Sequence, residues 1–233
     1  MTNKRNETAR RPIIVAIDGP AGAGKSTVAK TVARTLGYQL VDTGAIYRAV
    51  ALLARNANIA ADNDAALEKI VSGLQITFHW EGEINRVTVH DRDVSEAIRT
   101  PEISMLASTL SARPVVRHGL LDLQRRLAGQ GGAVLEGRDI GTVVCPQAEV
   151  KVFLDASVEE RARRRYQELK DKGQEADLAK VTAEVIARDQ QDTQRALAPL
   201  RPANDAVILD STRLSVEQVV EAILALARNV DRA

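Results

Sequence analysis

The sequence is poor in several residue types that define whole functional classes. One cysteine, Cys145, among 233 residues excludes an intramolecular disulfide and fits a reducing compartment. The three histidines, His79, His90 and His118, are scattered and form no zinc-binding spacing with that single cysteine. Aromatic residues make up only 3%, too few for the stacking platforms of a single-strand binder. Neither sign of charge dominates: 32 basic residues stand against 31 acidic ones, which argues against a globally basic nucleic-acid surface. No run approaches the roughly 20 apolar residues of a membrane span. The opening MTNKRNETARR is polar and lacks the apolar middle of a signal peptide, so residues 1–11 are expected to form a mobile tail. A cytoplasmic protein without nucleic-acid or membrane partners is the expectation.

What is present is an alternation. Short apolar runs at Ile13–Ile17, Gln39–Val41, Ala133–Leu135, Val150–Leu154 and Ala206–Leu209 are separated by stretches of helical spacing. This order implies an α/β fold with a parallel sheet covered by helices on both faces. Ser215 can cap a last helix whose stripe is Val216, Val219, Val220, Ile223 and Leu224. One stretch breaks the pattern. Around Glu81-Gly82-Glu83 the residues alternate as in a hairpin, and residues 62–100 read as an inserted antiparallel subdomain. A surface extension and a cap over a substrate cleft are both compatible with it.

Gly19-Pro20-Ala21-Gly22-Ala23-Gly24-Lys25-Ser26 fits G-x-x-x-x-G-K-[ST] after a strand and before a helix. Glycines let successive N–H groups point at phosphate oxygens, and the following helix adds its positive end. Lys25 can reach the outer phosphates and Ser26 can ligate Mg²⁺. The motif thus predicts a nucleoside triphosphate, with Gly19 to Thr27 as its cradle. It does not name the acceptor.

Acceptor-side candidates come from other strand ends, because carboxyl ends of parallel strands converge on the ligand crevice. Asp42-Thr43-Gly44 with Tyr47-Arg48 follows the second run, and Glu136-Gly137-Arg138-Asp139 follows the third. An arginine at such an end suits a second phosphate. Arg161, Arg164 and Arg165 share one helix face, either as a solvated basic stripe or as a mobile lid carrying guanidinium groups to transferring phosphates. The next helix favours the lid. Its apolar stripe Leu178, Val181 and Val185 continues on the same face as Arg188, Asp192 and Arg195, as expected for charges turned into a wet, phosphate-rich cavity. No Asn-Lys-x-Asp guanine-reading motif of a switch GTPase is found.

Taken in order, IDGPAGAGKST, VDTGAIYR, SEAIRT, EGRDIGTVV, VFLDAS, EERARRR, RDQQDTQRALAPL and AVILDST resemble the bacterial cytidylate kinases of the nucleoside monophosphate kinase group. The resemblance runs from about Pro12 to about Arg228. It implies a P-loop kinase fold: a five-stranded parallel sheet flanked by helices, the inserted subdomain at 62–100, and a helical lid at about 161–177 within one kinase domain, 12–233. It also implies transfer of the γ-phosphoryl of ATP to CMP and dCMP with Mg²⁺, by a monomer in pyrimidine nucleotide metabolism. Residue by residue, Thr43, Tyr47 and Arg48 match positions near the acceptor, and Ser108, Arg117 and Asp139 match cytosine readers. Arg138 matches a phosphate ligand, Arg188 and Asp192 match ribose ligands, and Arg195 a phosphate-side arginine. Lys25, Arg161, Arg165 and Arg195 are the expected catalytic cations. Ser26, with Glu136 through water, is expected at the metal. Three positions depart from the pattern. Ala21 replaces a serine of some members, Glu136 an aspartate, and Gln191 a further arginine.

Overall fold

The five apolar runs form five strands of one parallel sheet in a computed structural model that describes residues 12–230. In chain order the elements are β1 (Ile14–Asp18), α1 (Lys25–Leu36), β2 (Gln39–Asp42), α2 (Thr43–Asn56), α3 (Asp64–Ser72), β3 (Ile76–Glu81), β4 (Ile84–Val89), β5 (Arg92–Asp93), α4 (Pro101–Ser111), α5 (Pro114–Ala128), β6 (Ala133–Gly137), β7 (Val150–Asp155), α6 (Val158–Asp171), α7 (Leu178–Thr193), β8 (Val207–Asp210) and α8 (Val216–Val230). The parallel sheet runs β2-β6-β1-β7-β8. The tail expected at residues 1–11 lies outside the described residues.

The central strands β1 and β6 are buried along their whole length, as continuous apolar runs covered on both faces require. Alternate residues serve different cores. Ile14 and Ala16 face a large cluster with α2 to α5, whereas Val15 and Ile17 face α1 and α8. Local signals set the helix ends. Asp42, Asn63, Thr100, Ser157 and Asp177 each accept a backbone N–H at the start of α2, α3, α4, α6 and α7. Ser215 and Gln218 form a reciprocal cap on α8.

The strand register brings five chain ends to one edge. Asp18 pairs with Gly137, Asp42 with Glu136, and Asp155 with Asp210. Ligand-binding chemistry collects along this edge, as in open α/β sheets generally.

The segment 62–100 differs from a purely antiparallel insertion. It opens with α3, and only then forms the sheet β3-β4-β5. It has no core of its own, since Leu67, Val71, Ile76, Phe78, Val87 and Ile98 join the cluster of Ile46 and Val50. Its turn does not roof the crevice. Arg34, in the last turn of α1, lies over the Trp80 ring at 5.7 Å, and Asn85 donates to the Leu40 carbonyl at 3.2 Å. Arg34 sits at the far end of the helix that begins at the phosphate loop, on the order of 15 Å away along its axis. The hairpin tip thus packs on the end of α1 remote from the phosphate loop. By contrast, α6 and α7 pair through a small core of their own: Ala162, Val181 and Val185 with Val158, Tyr166 and Leu169.

Candidate active site

The phosphate loop leaves β1 at Gly19 with φ +149°, where an added Cβ would stand 1.9 Å from the Leu154 carbonyl oxygen. At Gly22, with φ +79°, an added Cβ would press on Arg161 at 3.1 Å. Only glycine satisfies both the backbone angle and the close approach. Lys25 opens α1, is buried, and donates from Nζ to the Pro20 carbonyl at 2.6 Å. Burial, then Arg138, push its ammonium well below the ordinary lysine range, while Glu136 and Asp18 pull the other way.

Ser26 donates from Oγ to Glu136 Oε2 at 2.8 Å. Glu136 ends β6 in a buried position, and desolvation, reinforced by Asp42, raises its carboxyl to about 7. The Thr43 hydroxyl donates to the Glu136 backbone carbonyl at 2.7 Å and stitches β2 to β6. Arg48 pairs with Asp42 at 2.7 Å.

A ring of polar groups closes the acceptor side. Arg117 on α5 donates from Nη2 to Asp139 Oδ2, both side chains being buried, and from Nη1 to the Ser111 carbonyl at the end of α4, 3.1 Å away. Its guanidinium lies 5.6 Å from the centre of the Tyr47 ring. Arg138 donates to Asp192 Oδ2 on α7 at 2.8 Å. Burial is the largest influence on Asp192 and opposes its charge, but Arg138, Arg195 and Arg188 together hold the carboxyl below its ordinary range. Arg195 stands 3.6 Å from the other Asp192 oxygen, and burial lowers its guanidinium. Ser108 on α4 donates to Gln191 Oε1 on α7 at 2.9 Å, completing the ring. The Arg188 side chain opens to solvent on α7, near Arg138 and Asp192. Desolvation, then Arg138, push its guanidinium down to about 10. The Nε atoms of Arg48 and Arg195 are buried and make no hydrogen bond among the described residues, as befits donors lining a ligand cleft.

The α6 arginines divide into two groups. Arg161 is buried, forks onto Asp189 at 3.0 and 2.6 Å, and reaches the Ala21 carbonyl of the phosphate loop at 3.2 Å. Arg164 donates to Ala23 O at 3.4 Å and to Ser211 O at 2.7 Å. Arg163 and Arg165 are on the outside, paired with Glu160 and Glu168.

Two participants escaped the sequence reading. Asp18 accepts the N–H groups of Ile140 and Gly141 on its two oxygens, each at 2.8 Å. It thereby holds the wide helical turn after Asp139 and sets where Arg138 and Asp139 project. Desolvation, ahead of its hydrogen bonds, raises its carboxyl to about 6. Its only signal is an acidic residue ending an otherwise apolar run. Asp189, the partner of Arg161, has no signal beyond its place beside Arg188.

A glycine-rich loop with a buried lysine and a cluster of arginines and carboxylates therefore gather at the strand ends of one sheet. The family model for cytidylate kinase matches residues 15–229. The chain belongs to the cytidylate kinase family. The cytidylate kinase of Geobacter sulfurreducens is 57% identical over 96% of each chain. That of Desulfitobacterium hafniense is 50% identical over 93% of each, and that of Pseudomonas syringae pv. tomato 48% identical over 91% of this chain and 93% of its own. Membership makes the protein a phosphotransferase with a phosphate group as acceptor. The phosphate loop, Asp42 and Glu136 stand at strand ends of one sheet, and Ser108, Arg117 and Asp192 come to them from α4, α5 and α7. Among the described residues no helix is long and apolar enough to cross a membrane, and no group of three or more His, Cys, Asp or Glu side chains could hold a metal.

Proposed function

We propose that the chain transfers the γ-phosphoryl of ATP to CMP, and to dCMP, giving ADP and the diphosphate, as a cytoplasmic monomer of pyrimidine nucleotide metabolism. The single observation that carries the reading is the buried Arg117–Asp139 pair, set in the same cleft as the phosphate loop. A carboxylate can only accept and a guanidinium can only donate. Asp139 keeps acceptor capacity for the cytosine amino group and Arg117 keeps donors for its ring acceptor. Uracil offers a carbonyl and an N–H at those places, the reverse of what both groups want.

The acceptor phosphate has a second pKa near 6 and is mostly dianionic at neutral pH. No general base is needed. The barrier is the meeting of two polyanions in line, so the chemistry asked of the protein is positioning and charge. Gly19 to Thr27 cradle the donor phosphates through backbone N–H groups, and Lys25 turns from Pro20 O to their outer oxygens. Arg48, Arg138 and Arg195 take the acceptor phosphate, with Thr43 and Tyr47 beside it. Arg188 and Asp192 hold the sugar, and Ser108, Arg117 and Asp139 hold the base. Arg161, already seated on the phosphate loop, and Arg165, brought in when the α6–α7 pair closes and excludes water, join the transferring group. Ser26 and Glu136 fit a hard divalent cation, since a hydroxyl and a buried carboxylate stand 2.8 Å apart as oxygen donors. When bound, Mg²⁺ would offset charge on the phosphate oxygens there.

The test is a panel of nucleoside monophosphates with ADP formation as readout. CMP should be the best substrate, with dCMP accepted and purine monophosphates inactive. Preferential turnover of UMP or of a non-nucleotide acceptor would refute the reading.

A further inference from the structure

Gln191 is not among the residues that touch the acceptor in the reading above, yet it occupies a defined place in the ring. Its Oε1 takes the proton of the Ser108 hydroxyl at 2.9 Å. Among the described residues this is the one side-chain hydrogen bond between α4 and α7. The neighbouring Asp192 is tied to Arg138, and Ser111, one turn beyond Ser108, is tied through its carbonyl to Arg117. Ser108 and Gln191 therefore face each other across the rim of the site that Arg117 and Asp139 floor.

A serine hydroxyl has one proton and two lone pairs. Left free, it rotates to donate to a carbonyl or to accept from an amino group and discriminates between neither. With its proton committed to Gln191 Oε1, only lone pairs remain for a ligand. We infer that Gln191 is a positioning residue for base choice: it fixes Ser108 as an acceptor, which suits the amino group of a cytosine and opposes the carbonyl of a uracil. The inference rests on the cytidylate acceptor assigned above and adds a second acceptor-only group beside Asp139. It also gives α7 a stake in the base.

The experiment measures kcat and KM for CMP and UMP in the wild type, Gln191→Met, Gln191→Glu, Ser108→Ala and the double variant Ser108→Ala with Gln191→Met. Gln191 is exposed, so melting temperatures should match across the single variants. Gln191→Met keeps the length of the side chain and removes the acceptor. The CMP/UMP ratio of kcat/KM should fall about fivefold, the worth of one neutral hydrogen bond, mainly through a lower KM for UMP. Gln191→Glu retains an acceptor and should keep the ratio. In the Ser108→Ala background, Gln191→Met should add nothing. An unchanged ratio in Gln191→Met, or a loss in Gln191→Glu as large as in Gln191→Met, overturns the role of Gln191 while leaving the cytidylate reading intact. A wild type without preference for CMP overturns both.

Discussion

Lys25 is a cation kept out of water, and its position shows what the loop is built to do. Its ammonium rests on the loop's own Pro20 carbonyl at 2.6 Å. A desolvated cation interacts strongly with an incoming anion. Replacing it with alanine should leave the circular dichroism spectrum native, because no core side chain depends on it. Turnover should fall by about 10²–10³-fold. Near-normal ADP formation would refute the phosphate-loop role. Asp18 makes a different kind of prediction. Its carboxyl is ordinarily near 3.8 and is raised to about 6 in the fold. Between those values the native state binds more protons than the unfolded one, so the contribution of Asp18 is full below about 4 and is lost as pH rises through 6. Asp18→Asn removes this titration. The asparagine amide faces two N–H groups and should lower stability at pH 4. The gap to the wild type should then narrow by about 2–3 kcal/mol between pH 4 and pH 7, by denaturant unfolding. A gap that does not change with pH would refute the burial argument for Asp18.

At the scale of elements, α6 is anchored to the phosphate loop at its root and packs on α7 further along. Arg161 and Arg164 tie its first turns to carbonyls of Ala21 and Ala23, and Asp189 of α7 locks onto Arg161. Beyond them Arg165 pairs only with Glu168, and Gly173 turns the chain with φ +70°. These anchors favour a lid that begins after Arg164 rather than at Arg161, and hydrogen exchange tests which. Hydrogen exchange should slow in residues 165–177 when a bisubstrate analogue binds, while residues 158–164 should be protected with or without it. Equal protection throughout would return the arginine run to a static helix face. The sequence conveyed the stripe of α7 in part: Val181, Val185 and Asp192 are buried and the Arg195 side chain is buried just past the helix end, whereas Leu178 and Arg188 are exposed. It could not show that Arg161 and Arg164 reach back to the phosphate loop, because that contact spans 140 residues of chain. Nor could it show α3, whose short helical spacing was overshadowed by the hairpin pattern that follows.

The whole molecule reads as one sheet edge divided between donor and acceptor. The five strands and the glycine loop were legible because apolar runs and motif spacing are local properties. The direction of the hairpin was not, because it depends on Trp80 meeting Arg34 across the fold. Likewise, Asp139 and Arg117 were legible as candidates but not as partners, since 22 residues and two elements separate them. In the proposed function their pairing is what reads the base, and it is the centre of the account. The most direct test measures kcat/KM for CMP and UMP in the wild type and in Asp139→Ala. Each badly paired buried polar group costs about 1–3 kcal/mol, so the wild type should favour CMP at least tenfold. Asp139→Ala should weaken CMP and erode that preference toward unity. A variant that loses activity toward both acceptors equally, with the CMP/UMP ratio unchanged, would contradict the account and reduce Asp139 to an anchor for Arg117.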